Sequence, residues 1–190
     1  MMSLSSPQLL LIDGHSLAFR SFYAYKNKDG GMKTTDGIPT SVCFGFLKSL
    51  LEIIKAYHPQ HLAIAFDLPT PTFRHEMDTN YKGDRQETPE EFIPDIQNLY
   101  QLLTAFNIPM VTAIGYEADD VLGTLATRAS REGYEVRIAS GDKDMFQLVN
   151  DQAQVSVLYF SGSPYQRSSG GPAIFDEKAV FDKMAVRPDQ

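Results

Sequence analysis

Three short apolar runs in this chain lead into aspartate. Leu9-Leu10-Leu11-Ile12 runs into Asp13-Gly14, and Leu62-Ala63-Ile64-Ala65-Phe66 runs into Asp67. Glu135 to Ser140 leads through Gly141 to Asp142-Lys143-Asp144. Short apolar runs bounded by Gly, Pro and Asp predict strands buried on both faces of a parallel sheet. Two further strands are expected at Ile108 to Val111 and Gln154 to Phe160. Between them the apolar positions recur at helical spacing: Leu17, Ala18 and Phe22, then Phe44, Leu47, Leu51 and Ile54, then Phe92, Ile96, Leu99 and Leu103. Thr40 or Ser41 is the expected N-cap of the second helix. Thr88-Pro89-Glu90-Glu91 predicts a capping box opening the third. Met145 to Val149 predicts a short helix, and Asp176 caps a last amphipathic piece carrying Ala179, Val180 and Met184.

A further helix begins at Gly115-Tyr116-Glu117-Ala118-Asp119-Asp120 and runs through Val121, Leu122, Leu125 and Ala129 to a stop at Gly133. Three carboxylates within four positions repel one another unless a cation or a helix N-terminus compensates them. Complementarity to the helix dipole accounts for an acidic first turn on its own. The strand-end aspartates add a second reason, because open α/β sheets bind ligands at the carboxyl ends of their strands. Asp13, Asp67, Glu117, Asp119, Asp120, Asp142 and Asp144 are therefore expected on one rim. An oxygen-only cluster suits a hard divalent ion such as Mg²⁺ or Mn²⁺ rather than zinc.

Bulk composition limits the alternatives. With 190 residues, 43% hydrophobic and 22% charged, the chain fits one globular domain with a sizeable core. No run approaches membrane-spanning length, and Met1 to Pro7 lacks the pattern of a signal peptide. The single cysteine, Cys43, rules out an internal disulfide and reads as a core thiol in an apolar helical pattern, so a reducing cytoplasm is expected. The chain is also expected to be a monomer. A net charge of −7 argues against nucleic acid at first sight. Two divalent cations on the acidic rim would offset more than half of it, so the distribution of basic residues matters more. Lys26 to Gly37 reads as a mobile basic loop, and Ser161 to Pro172 as a flexible Ser/Gly-rich segment. Phe73-Arg74-His75 and Tyr81-Lys82-Gly83-Asp84-Arg85 mix cations with aromatic rings, a combination that suits phosphate contacts and base stacking as well as a solvated loop. His15 is a candidate for the site, or equally a hydrogen-bonded structural histidine.

Taken together, Leu11-Ile12-Asp13-Gly14-His15, Phe66-Asp67, Phe73-Arg74-His75-Glu76, Tyr81-Lys82, Gly115 to Asp120, Asp142-Lys143-Asp144 and Arg187-Pro188-Asp189-Gln190 resemble the 5′-nuclease domain of bacterial DNA polymerase I. The resemblance implies an α/β flap-nuclease fold of the PIN-like group, a mostly parallel twisted sheet flanked by helices, with a helical arch over a two-metal site. It implies hydrolysis of 5′ flaps, nicked DNA and RNA primers in replication and repair, with a polymerase domain farther along a longer chain. By position, Asp13, Asp67, Glu117, Asp119 and Asp120 would surround a first Mg²⁺ or Mn²⁺, with Asp142 and Asp144 on the side of a second. Lys82 and Arg85 fall where the family has arch cations that steer the scissile phosphate, and Arg20 and Arg74 are further DNA-contact candidates. The family's next acidic element and its helix–hairpin–helix would follow Gln190, so residues 1–190 are expected to be an incomplete 5′-nuclease domain that cuts poorly alone. A PIN-type ribonuclease, an aspartate phosphatase built on Asp142-Lys143-Asp144 and a non-enzymatic DNA-binding module are the rival readings.

Overall fold

The computed structural model of the chain describes residues 6–26, 31–78, 80–81, 83, 87–160 and 172–190. At its centre lies β1 (Gln8–Asp13), flanked by β2 (His61–Ala65) and β4 (Glu135–Ser140) in a sheet of order β3-β2-β1-β4-β5-β6. β3 (Met110–Val111), β2, β1, β4 and β5 (Val155–Tyr159) run parallel, and only β6 (Ala173–Phe175) is antiparallel. Because successive side chains point to opposite faces, Leu10 and Ile12 enter one core while Leu11 enters the other. The first core is closed by α1 (Gly14–Tyr25), α2 (Ser41–Tyr57) and α4 (Phe92–Ala105), through Leu17, Phe22, Phe46, Leu50 and Leu99. The second is closed by α5 (Ala118–Arg131), the 3₁₀ helix Lys143–Leu148 and α6 (Glu177–Met184), through Leu122, Ala126, Phe146 and Val180. The result is a three-layer α/β sandwich with a mostly parallel sheet, as the apolar runs require.

Chain order explains where a ligand can sit. From β1 the chain moves outward through β2 to β3, then returns by α5 to β4 on the other side of β1. The crevice between oppositely directed connections is the switch point of an open α/β sheet, and it opens at the carboxyl ends of β1, β2 and β4.

Several local expectations change. α4 starts at Phe92 and not at Pro89, and Glu91 makes no side-chain cap. Pro94 gives the reason: in a helix begun at Pro89 its ring would meet the carbonyl four residues back, whereas here it falls in the first turn. Pro89 instead begins a separate turn, its carbonyl accepting from Phe92 N–H at 3.0 Å. β3 holds only Met110 and Val111 of the expected four residues, since Pro109 has no N–H to give the ladder. The pattern at Met145 to Val149 is realised as the 3₁₀ helix, and β6 was not anticipated. Thr40 occupies the N-cap position of α2 but makes no side-chain cap. The cap comes from α4, where fully buried Asp95 accepts from the amides of Val42 at 2.7 Å and Cys43 at 3.1 Å. Cys43 is a core thiol, and burial together with its contact to Asp95 pushes its pKa up to about 12.

The segment expected to arch over the site contributes α3 (Phe73–Met77). Lys82 and Arg85 lie outside the described residues, as do residues 27–30 of the basic loop and residues 161–171. Among the described residues no helix is long and apolar enough to cross a membrane.

Candidate metal centre

Asp13 is the last residue of β1 and is only 6% exposed. One carboxylate oxygen caps α1 by accepting from Ser16 N–H at 3.0 Å, and the other accepts from Ser140 Oγ at 2.8 Å. The glycine that follows is required by packing, because a Cβ on Gly14 would meet the Phe66 ring at 2.3 Å. Asp67 follows β2 and reaches across to α5, accepting from Ala118 N–H at 2.6 Å. Its own amide donates to Nδ1 of His15 at 3.2 Å, so His15 is hydrogen-bonded structure that also borders the cavity. On the far side of the switch point Asp142 caps the 3₁₀ helix by accepting from Asp144 N–H at 2.9 Å.

These elements enclose a cavity of about 1160 Å³ that is bordered by Asp13, Asp67, Glu117, Asp119, Asp142 and Asp144. Its opposite wall is apolar, with Phe19, Phe92, Ile93, Ile96 and Tyr100. The carboxylates feel one another there. Asp119 is pushed up to about 7, first by burial and then by Asp13, Asp142, Asp67 and Glu117. Asp13 is also raised, mainly by burial, against the opposing hydrogen bonds from Ser16 and Ser140. Such unrelieved like charge is what a bound divalent ion would neutralise, and the all-oxygen donor set suits a hard ion. Among the described residues, however, no three His, Cys, Asp or Glu side chains are already gathered tightly enough to hold one ion together.

The seventh acid stands apart. Asp120 borders an adjoining cavity of about 720 Å³ and receives both guanidinium arms of Arg74, at 2.7 and 2.9 Å. It also accepts from Glu117 N–H at 3.0 Å. Arg74 lies 3.6 Å from Glu117 as well, and Tyr81 Oη donates to the same Glu117 oxygen at 3.2 Å. Arg74, expected to meet DNA, is therefore turned onto the chain's own acids. Arg20 does not border the acidic cavity either. Its guanidinium sits 5.6 Å from the centre of the Phe160 ring and reaches the Phe160 carbonyl at 3.5 Å, beside the end of β5. Tyr81, read with its basic neighbours as a base-stacking candidate, is turned onto Glu117, and Ser140 is the participant that charge patterning did not pick out. The available signal for Ser140 was a hydroxyl directly before the Gly-Asp at a strand end.

Known proteins show the same arrangement of sequence and fold. The 5′-3′ exonuclease N-terminal resolvase-like domain matches residues 8–185. DNA polymerase I of Synechocystis is 54% identical over the whole chain, and that of Chloroflexus aurantiacus is 46% identical over 97% of it. The chain spans 19% of the length of each of these two relatives. Among solved structures, the T5 5′-exonuclease with bound zinc ions superposes with a TM-score of 0.72 at 20% identity, covering 94% of this chain and 61% of its own. Flap endonuclease-1 from Methanococcus jannaschii superposes with a TM-score of 0.59 at 15% identity, covering 98% and 63%. The two structural likenesses establish the PIN-like fold. With its profile matched almost end to end, the chain belongs to the family of 5′-3′ exonuclease N-terminal resolvase-like domains.

Proposed function

We propose that this chain is a divalent-metal-dependent 5′-3′ exonuclease and 5′-flap endonuclease, hydrolysing phosphodiester bonds in flapped or nicked DNA and in RNA primers in the bacterial cytoplasm. The observation that carries the reading is the crowding of six carboxylates around the switch-point cavity, with Asp119 raised to about 7. Mg²⁺ or Mn²⁺ is the proposed cofactor, with Asp13, Asp67, Glu117 and Asp119 around a first ion and Asp142 and Asp144 towards a second. Asp120 would join the first set once Arg74 releases it. Such ions, when bound, lower the pKa of water and neutralise charge on the attacked phosphate and its leaving oxygen.

The protein's own groups orient the substrate. Asp67 ties the end of β2 to the first turn of α5, so the strand-end and helix-start acids keep a fixed separation. Lys82 and Arg85 are proposed to meet the scissile phosphate, since an acidic cavity by itself repels a polyanion. The test is cleavage of an end-labelled 5′ flap with Mg²⁺, Mn²⁺ or chelator, beside an all-RNA hairpin. Metal-dependent release of the flap supports the proposal. Cleavage of RNA alone would favour a PIN-type ribonuclease, and binding without cleavage in either metal would reduce the chain to a DNA-binding module.

A further inference from the structure

The two acidic groups sit on different strands, yet one hydroxyl joins them. Ser140 is the last residue of β4 and is fully buried. Its Oγ donates to Asp13 at the end of β1, 2.8 Å away, and accepts the backbone N–H of Asp142 at 3.0 Å. The directions follow from the Asp142 amide, which can only donate: Oγ accepts there, and its own proton is left for the Asp13 carboxyl. A group with one donor and a free lone pair is therefore needed between them, which alanine or valine cannot supply. A second serine braces the same turn differently. Ser16 Oγ accepts from Gly141 N–H at 2.8 Å without touching Asp13 through its side chain.

We infer that Ser140 is a positioning residue that couples the Asp13 side of the acidic cavity to the Asp142 side, so that both sets of carboxylates present to divalent cations in one geometry. The inference rests on the metal-dependent reading proposed above. Ser140 itself touches neither phosphate nor ion. It holds the Asp13 carboxylate in one rotamer and fixes the start of the Gly141-Asp142 turn relative to it. Hydrogen-bond partners behind metal-binding carboxylates typically contribute ~10–100-fold to metal affinity.

The experiment compares wild type, Ser140→Ala, Ser140→Thr and Ser16→Ala. Amide hydrogen exchange of the metal-free protein reads the link directly, and Mn²⁺ calorimetry and flap cleavage over a range of Mn²⁺ concentrations read its consequence. In Ser140→Ala the Asp142 amide is expected to exchange ~10-fold faster, and Mn²⁺ affinity to fall ~10-fold. Excess Mn²⁺ should restore most of the cleavage, marking a defect of metal assembly and not of chemistry. Ser140→Thr, which keeps the hydroxyl, should stay within about threefold of wild type if its extra methyl is accommodated. Should the threonine variant fail to fold, the Ser140→Ala against Ser16→Ala comparison decides. Equal losses in those two overturn the inference, because general loosening of the turn would then suffice. Wild-type Mn²⁺ affinity in Ser140→Ala overturns it outright. A wild-type chain that binds no Mn²⁺ overturns the metal reading and this inference together.

Discussion

Helix α5 opens with acids on two flanks, and the two are treated in opposite ways. On one flank Asp120 and Glu117 face Arg74, with a bidentate pair at 2.7 and 2.9 Å and a hydroxyl from Tyr81. On the other, Asp119 faces Asp13, Asp67 and Asp142, and its carboxyl is raised to about 7. The chain thus supplies its own cation on the Arg74 flank, which Glu117 shares with the acidic cavity, and leaves the charge unmatched around Asp119, the side proposed to recruit an ion. Acid content does not separate the flanks. What separates them is whether a guanidinium reaches the carboxylates. Unmatched charge costs stability in the free protein, and that cost becomes binding free energy when a cation arrives.

The strongest way to break the contrast is to remove an acid from the unmatched flank. Asp142→Asn is expected to lower metal-dependent flap cleavage by ~10²-fold or more while the metal-free protein stays folded. Single-turnover rates and melting curves with and without Mn²⁺ check it; a variant that keeps wild-type rates would remove Asp142 from the metal set. Next come the external cations. Lys82→Ala and Arg85→Ala should each slow single-turnover cleavage by ~10–100-fold and weaken DNA binding far less. Equal losses in rate and affinity would make them ordinary backbone contacts.

Removing the cation of the matched flank should act on stability. Arg74→Ala leaves Asp120 and Glu117 facing each other, at a cost of roughly 1–2 kcal/mol for a partly exposed pair. For a chain of this length that is a fall of ~3–6 °C in melting temperature. Mg²⁺ should then stabilise the variant more than it stabilises wild type, since the matched flank has been made to resemble the unmatched one. The smallest effect has the opposite sign. Asp119 is protonated more readily in the folded chain than the ordinary unfolded value of about 3.9 allows. Its penalty is therefore absent below about pH 4, grows as pH rises, and is complete above about pH 7. In chelator, Asp119→Asn should melt like wild type at pH 4 and ~2–4 °C higher at pH 8, on the order of 1 kcal/mol after allowing for solvent screening. A variant less stable at pH 8 would show that Asp119 is held by favourable contacts.

Much of this was legible because strands and acids announce themselves locally. The runs leading to Asp13 and Asp67 are continuous apolar segments, the one leading to Asp142 is apolar at Val136, Ile138 and Ala139, and parallel order forces their ends to one edge. Long-range partnerships left no such trace. Nothing near Asp120 in sequence points to Arg74, which lies 46 residues earlier. Nothing near Ser140 indicates Asp13, 127 residues earlier. The α4 capping box failed for a local reason, the later Pro94, that a reading of Thr88 to Glu91 alone could not weigh. Arg74 was chosen for DNA on its type and neighbours, but charge type does not reveal which phosphate or carboxylate a cation will meet.

The cap that Asp95 places on α2 also bears on how the chain folds and varies. Its contact with Val42 spans 53 residues, so it closes a large loop containing β2 and α3. Until that loop closes, the first amides of α2 lack this partner, so the N-terminal end of the helix is completed only by a long-range contact. Once the loop is closed, its entropy depends only weakly on its length, about 0.6 kcal/mol per doubling. Insertions between α3 and α4 should therefore be thermodynamically cheap. Evolution can lengthen or shorten that stretch while the clasp at its base keeps the start of α2 against α4.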